Sequence, residues 1–156
     1  MRVSTILKVA AGLVLTVGIS ATASAQTNRL HLGPRIGYNF DAEALTVGAQ
    51  LSVPVARHLE FYPSFDYHNV DVGSLYSINL DLKYRVAAAN ADWLYLGTGL
   101  GIVSRSVGDH DTSDAGLNLF IGAESLRGRV HPFGEARVTI QDGSQAMLVG
   151  GLNFTL

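Results

Sequence analysis

The sequence predicts an all-β chain, an eight-stranded antiparallel transmembrane up-and-down β-barrel. Three observations predict it. From Leu30 to the last residue, apolar and polar side chains alternate in eight separate runs, and period-two alternation marks a strand with unlike surroundings on its two faces. None of the eight apolar faces carries a charged residue. The runs also have about the 9–11 residues that a tilted strand needs to cross a bilayer, against about 5–6 for the usual strand of a soluble protein.

Each element follows from that pattern. The first run, residues 30–40, sets Leu32, Pro34, Ile36, Tyr38 and Phe40 against His31, Arg35 and Asn39. The second, 45–55, sets Leu45, Val47, Leu51 and Val55 against Thr46, Gln50 and Ser52. In the third, 59–68, Phe61, Pro63, Phe65 and Tyr67 oppose Glu60, Tyr62, Asp66 and His68. The fourth, 76–86, places Tyr76, Leu80, Leu82 and Tyr84 opposite Asp81, Lys83 and Arg85. The fifth, 94–102, sets Leu96, Leu100 and Ile102 against Tyr95, Gly97, Gly99 and Gly101. In the sixth, 115–124, Leu117, Leu119 and Ile121 oppose Asn118, Phe120 and Glu124. The seventh, 130–140, has Val130, Ala136 and Val138 against His131, Phe133, Glu135 and Arg137. The eighth, 145–156, has Leu148, Leu152 and Phe154 against Met147, Val149 and Asn153.

The first 25 residues read as a cleaved secretory signal peptide. Arg2 and Lys8 form the basic start, residues 9–19 the apolar core, and Ala23-Ser24-Ala25 the small-x-small cleavage pattern. Residues 26–156 then form one barrel domain. The chain has no cysteine, which excludes a disulfide framework and a thiolate metal site. Its net charge of −2 becomes more acidic once Arg2 and Lys8 leave. No basic patch points to nucleic acid. No apolar run after residue 25 is long enough for a membrane helix, so any spanning structure must be a closed barrel.

A soluble barrel would place the same apolar face inward, and three features oppose that. The apolar-face aromatics collect at two heights: Tyr38, Phe40, Phe65, Tyr67 and Tyr76 at one end, and Phe61, Tyr84, Trp93 and Phe154 at the other. Two aromatic girdles are what anchoring at two membrane interfaces requires. The polar face is rich in glycine, of which the chain has 17, and this fits a narrow lumen. That face also nearly balances Arg35, Lys83, Arg85 and Arg137 against Glu60, Asp66, Asp81, Glu124 and Glu135, which suggests internal ion pairs. A hairpin closing near Asp71 would bring Glu60 opposite Lys83 or Arg85.

With an even strand number, both termini lie on the periplasmic side. The extracellular connections are then residues 41–44, 69–73, 105–114 and 141–144, of which only 105–114 is long. Pro34 and Pro63 fall inside strands, and a closed barrel has no free edge to absorb a missing N–H. Each is expected to mark a bulge or a local break in the ladder.

Three segments are more specific. Trp93-Leu-Tyr-Leu-Gly-Thr-Gly-Leu-Gly101 is similar to a Y-x-G-x-G-x-G strand, and His131-Pro-Phe-Gly-Glu-Ala-Arg137 to a P-[FY]-x-E-x-R strand. The ending Val149-Gly-Gly-Leu-Asn-Phe-Thr-Leu156 looks like a C-terminal strand read by the barrel assembly machinery, although such strands usually end on an aromatic and this one ends on Leu156. On these segments the chain resembles the OmpA/OmpX-like outer-membrane β-barrel family, which includes the opacity-type proteins. The resemblance covers residues 26–156 and implies an outer-membrane location. It implies little about activity, because fold does not fix function.

The lumen charges form either a packed plug or an ion path, and an eight-stranded barrel is just wide enough for side chains to fill it. Barrel lipid A deacylases use Ser and His close together on one strand; here His110 and Ser113 are three apart and would point to opposite faces of a strand. Asp109, Asp111, Ser113 and Asp114 resemble the start of a calcium loop, but Asp114 stands where that loop needs glycine and Phe120 where it needs a bidentate glutamate. His31, His58 and His131 show no metal-ligand spacing. Residues 105–114 offer the one loop long enough for adhesion.

The expectation is a non-enzymatic, monomeric outer-membrane protein with a membrane-structural or surface-interaction role and no cofactor or metal. Its partners would be outer-membrane lipid, lipopolysaccharide and the assembly machinery. A narrow porin-like channel is the alternative, and a lipid A-modifying enzyme a more distant one.

Overall fold

The computed structural model describes residues 29–88 and 90–156; the segment expected to be a signal peptide lies outside them. Eight strands form in chain order: β1 (His31–Asn39), β2 (Ala44–Ala56), β3 (Leu59–Asn69), β4 (Ser74–Arg85), β5 (Leu94–Val107), β6 (His110–Glu124), β7 (Val130–Ile140) and β8 (Gln145–Thr155). Each pairs antiparallel with its sequence neighbours, and β1 pairs with β8, so the sheet closes into a barrel.

The barrel is inside-out. Every residue of the charge-free faces that is named above for a girdle lies on the outer wall. Seven of them are exposed: Tyr38, Phe40, Phe65, Tyr67, Tyr84, Trp93 and Phe154. Phe61 and Tyr76 are half-buried. Phe65 stacks on Tyr76 and Tyr38 meets Phe40 edge-on, with ring centroids 6.2 and 5.3 Å apart. Between the two aromatic ends, Leu80, Leu100 and Leu117 sit side by side on β4, β5 and β6 with their side chains exposed. A continuous wall of exposed Leu, Ile and Val is far beyond the few hundred Å² of apolar patch usual on a soluble monomer.

The inner face shows what its glycines are for. Tyr95 stands directly opposite Gly122, Phe120 opposite Gly97, and Phe133 opposite Gly151. A Cβ on any of these three glycines would collide with the facing ring. Each inward aromatic therefore lies over the backbone of the neighbouring strand, a space that only a residue without a side chain leaves open. Tyr62, Tyr95 and Phe120 form one buried cluster, and Phe133, Met147 and Val149 a second.

Both interior prolines interrupt the ladder, each on one side only. Pro34 keeps its pairing with Ala49 of β2, but pairing of β1 with β8 stops after Leu32↔Phe154 and resumes at Arg35↔Gly151 in the same register. Pro63 keeps Leu80 of β4, while pairing with β2 lapses between Gln50↔Ser64 and Val53↔Phe61. The absent N–H opens a local gap and leaves the register unchanged. The register shift occurs elsewhere, between Pro54 and Ala56 at the end of β2.

One expectation is corrected. Residues 105–114 are not a loop. β5 runs on to Val107 and β6 begins at His110, with ladder pairs down to Val107↔His110 around the two-residue turn Gly108–Asp109. Gly108 has φ of 60°, as the first position of a tight hairpin turn requires. The alternation is lost from the sequence here because both faces of the ribbon meet solvent: residues 107–115 are all exposed. All four turns at this end are therefore short, with at most four residues each.

The two ends differ in charge. The turns between β1 and β2, β3 and β4, β5 and β6, and β7 and β8 carry Asp41, Glu43, Asp71, Asp109 and Asp142 and no basic residue. Turns at the opposite end, where the termini lie, carry Arg57, Arg127 and Arg129 against Asp92.

Candidate functional site

All nine lumen charges named from the sequence are buried inside the barrel. Strand parity puts them there, and closure brings them together in two groups. Near the end that holds the termini, Lys83 on β4 lies between Glu60 on β3, at 2.8 Å, and Glu124 on β6, at 3.1 Å. Arg85 bridges the same two carboxylates, with Nε 2.5 Å from Glu60 and Nη2 2.6 Å from Glu124. Ser52 also donates to Glu60. Directly across the β3–β4 ladder Glu60 faces Lys83, one of the two partners expected.

The second group fills the middle. Arg137 on β7 reaches Asp81 on β4 through Nη1 at 2.5 Å, and Nη2 lies 2.9 Å from Glu135. Arg35 on β1 sits 3.0 Å from Asp66 and 3.8 Å from Glu135. Glu135 thus joins β1 to β7, and Asp81 joins β4 to β7 through Arg137. Four cations face five carboxylates, and every one of these charges has an opposite partner within the lumen.

Aromatic rings and amides tie the groups to each other. The Lys83 ammonium lies 4.5 Å from the Tyr62 ring centre and 4.9 Å from that of Tyr95, and the Arg137 guanidinium lies 4.5 Å from Phe120. Stacking of cations on ring faces strengthens where water is excluded. Tyr95 donates its hydroxyl to Glu135 at 3.1 Å, and Tyr62 donates to Gln50 at 2.7 Å. Gln50 then donates to Asn153, which donates to Glu124, both at 2.7 Å. Asn118 donates to Asp81 at 2.8 Å and to Asn79 at 3.0 Å.

Satisfaction is incomplete within this network. Arg35 Nε and Arg137 Nη2 lie close to carboxylates without making a hydrogen bond, Arg35 Nη2 is 3.8 Å from Glu135, too far for one, and Arg85 Nη1 has no acceptor among the described residues. Shape and electrostatics therefore hold these guanidinium groups more than ideal bidentate geometry does.

The nucleophile candidates separate. His110 and Ser113 both belong to β6, an odd spacing that sends them to opposite faces, and Ser113 instead meets Ser104 across the ribbon at 2.8 Å. The same parity parts Asp111 from Asp114, and Asp111 accepts from Ser106 at 2.5 Å. Among the described residues, no group of three His, Cys, Asp or Glu side chains is placed to hold a metal ion. One His–Ser pair forms between strands, where spacing along a single strand cannot show it: His68 Nε2 lies 3.3 Å from Ser77 Oγ across the β3–β4 ladder. Both are buried, and among the described residues His68 Nδ1 has no partner, so none of their carboxylates orients the imidazole as a nucleophile–base pair needs.

A closed sheet of eight antiparallel strands, apolar outside and ion-paired inside, can be set beside solved structures. The N-terminal β-barrel domain of Pseudomonas aeruginosa OprF aligns with TM-score 0.68 at 14% identity, covering 83% of this chain and 98% of that one. The fold is that of the eight-stranded outer-membrane barrels. Neisserial surface protein A aligns with TM-score 0.59 at 13% identity over 86% of this chain and 100% of its own. A barrel from the de novo design of transmembrane β-barrels gives 0.57 at 13% identity, with the same coverage. No protein-family sequence pattern matches the chain, and no curated protein matches it by sequence. The likeness lies in architecture, which the OmpA/OmpX-like resemblance implied.

Proposed function

We propose that the chain is a monomeric integral protein of the outer membrane whose lumen is a packed plug, with a membrane-structural or surface-interaction role rather than an enzymatic one. The observation that carries this reading is the cross-lumen pairing. Lys83 and Arg85 are each held between carboxylates of β3 and β6, and Arg137 between those of β4 and β7. Tyr62, Tyr95 and Phe120 pack among them. An ion crossing the barrel would have to displace charges that already neutralise one another in a low-dielectric interior. Export through a cleaved signal, assembly through the C-terminal strand and contact with lipopolysaccharide belong to the same proposal.

A second reading, a narrow porin-like channel, draws on the shared carboxylates. Glu60, Glu124 and Glu135 each serve two cations, so partner exchange costs less than breaking an isolated pair. Single-channel recording in planar bilayers separates the two. The plug reading expects no steady conductance; a reproducible ohmic current abolished by Arg137→Ala would establish the channel. Lipid A deacylation by the purified protein would overturn the non-enzymatic assignment.

A further inference from the structure

The outer wall has a shallow hollow at the end that carries the arginines. It holds about 450 Å³ and is lined by Trp93, Ala123, Ser125, Pro132, Phe133 and Gly134, and by Glu124, whose carboxylate turns inward to Lys83 and Arg85. Ala123 and Gly134 are ladder partners on β6 and β7, and the space a Cβ on Gly134 would occupy is empty to 4 Å. Trp93 forms one side. Its carbonyl accepts from Glu124 N at 2.8 Å, and its indole donates to Asn90 O at 2.8 Å, so the ring is fixed beside the end of β6.

Directly beyond the hollow is the β6–β7 turn with Arg127 and Arg129. Both are exposed, and neither pairs with a carboxylate among the described residues. Exposed Leu126 on the turn and Val130 at the start of β7 flank them. Apolar side chains at this height keep the guanidinium groups at the edge of the apolar wall, where a long cationic side chain covers hydrocarbon and presents its head to the interface. Arginine's planar fork also suits phosphate oxygens. The opposite rim, with its five turn carboxylates, would repel the same ligand.

We propose that this end of the barrel binds an anionic glycerophospholipid, with one acyl chain in the hollow between Trp93 and Gly134 and its phosphate against Arg127 and Arg129. The proposal rests on the membrane-spanning reading above. Charge complementarity selects an anionic over a zwitterionic headgroup, and the hollow supplies the apolar half of the site.

Trp93 is the chain's single tryptophan and lines the site, so it serves as the reporter. The protein is refolded into phosphatidylcholine vesicles that contain a minor fraction of either acyl-brominated phosphatidylglycerol or acyl-brominated phosphatidylcholine. Phosphatidylglycerol should associate roughly tenfold or more strongly, seen as quenching at lower mole fraction, because two interfacial cations act on a net negative headgroup whose phosphate charge no choline cancels. Arg127→Gln/Arg129→Gln should bring the two lipids level. Gly134→Leu, which fills open space, should weaken quenching by both while the heat-shifted gel migration of the folded barrel is kept. Equal quenching by the two lipids in the unaltered protein, or a preference that survives the arginine double variant, would overturn the site. Failure to enter phosphatidylcholine vesicles would overturn the membrane-spanning reading instead.

Discussion

Arg137→Met removes the cation that joins β4 to β7 while keeping most of the side chain's length. Arg137 is buried, with Asp81 at 2.5 Å and Glu135 at 2.9 Å, and its guanidinium covers Phe120. Removing one partner of a buried ion pair typically costs about 3–5 kcal/mol, because the remaining charge loses its compensation. Two carboxylates are stranded here, but Glu135 keeps Arg35 at 3.8 Å and Asp81 keeps the amide of Asn118. Those contacts place the expected loss at the lower end, near 3 kcal/mol. With a urea slope of about 1–3 kcal/mol per molar, the unfolding midpoint of the barrel in lipid vesicles should fall by roughly 1–3 M. Adding Asp81→Asn removes one stranded charge and keeps an oxygen for Asn118, so the double variant should recover about 1–2 kcal/mol of the loss. A single variant less than about 1 kcal/mol below the parent would refute the claim that this cation neutralises the lumen. So would a strictly additive double variant.

The remaining predictions concern the wall and the ribbon. Leu100→Arg, at an exposed position in the middle of the apolar wall, should destabilise the barrel in vesicles by about 2–4 kcal/mol; a silent substitution, read from the urea midpoint, would contradict a lipid-facing wall. Deleting Val107 and His110, the last exposed ladder pair before the turn, shortens the β5–β6 ribbon without touching its pairs with β4, so stability should change by less than about 1 kcal/mol. A larger drop in the midpoint would mean that the ribbon supports the barrel.

Much of this architecture was legible because a strand's two faces are set by parity, a local property. Glu60, Lys83, Arg85, Glu124 and Arg137 were assignable to the lumen, and Leu100 and Phe154 to the wall, by counting in twos from one apolar residue. The pattern failed where the two faces have the same surroundings. The β5–β6 ribbon meets solvent on both sides near its tip, so residues 105–114 read as a loop. The prolines were readable as a disturbance, but not as two one-sided gaps that keep their register.

The sequence alone determined which residues face the lumen, how many strands there are and what the wall is made of. Only the tertiary structure decided which lumen residues meet. That Arg137 reaches Asp81, 56 residues earlier in the chain, depends on strand stagger and on closure of β1 against β8. So do Phe120 packing over Gly97 and His68 meeting Ser77. Side-chain alternation repeats every two residues and carries no information on stagger between strands, whereas ion pairs and ring contacts act over a few ångströms in three dimensions.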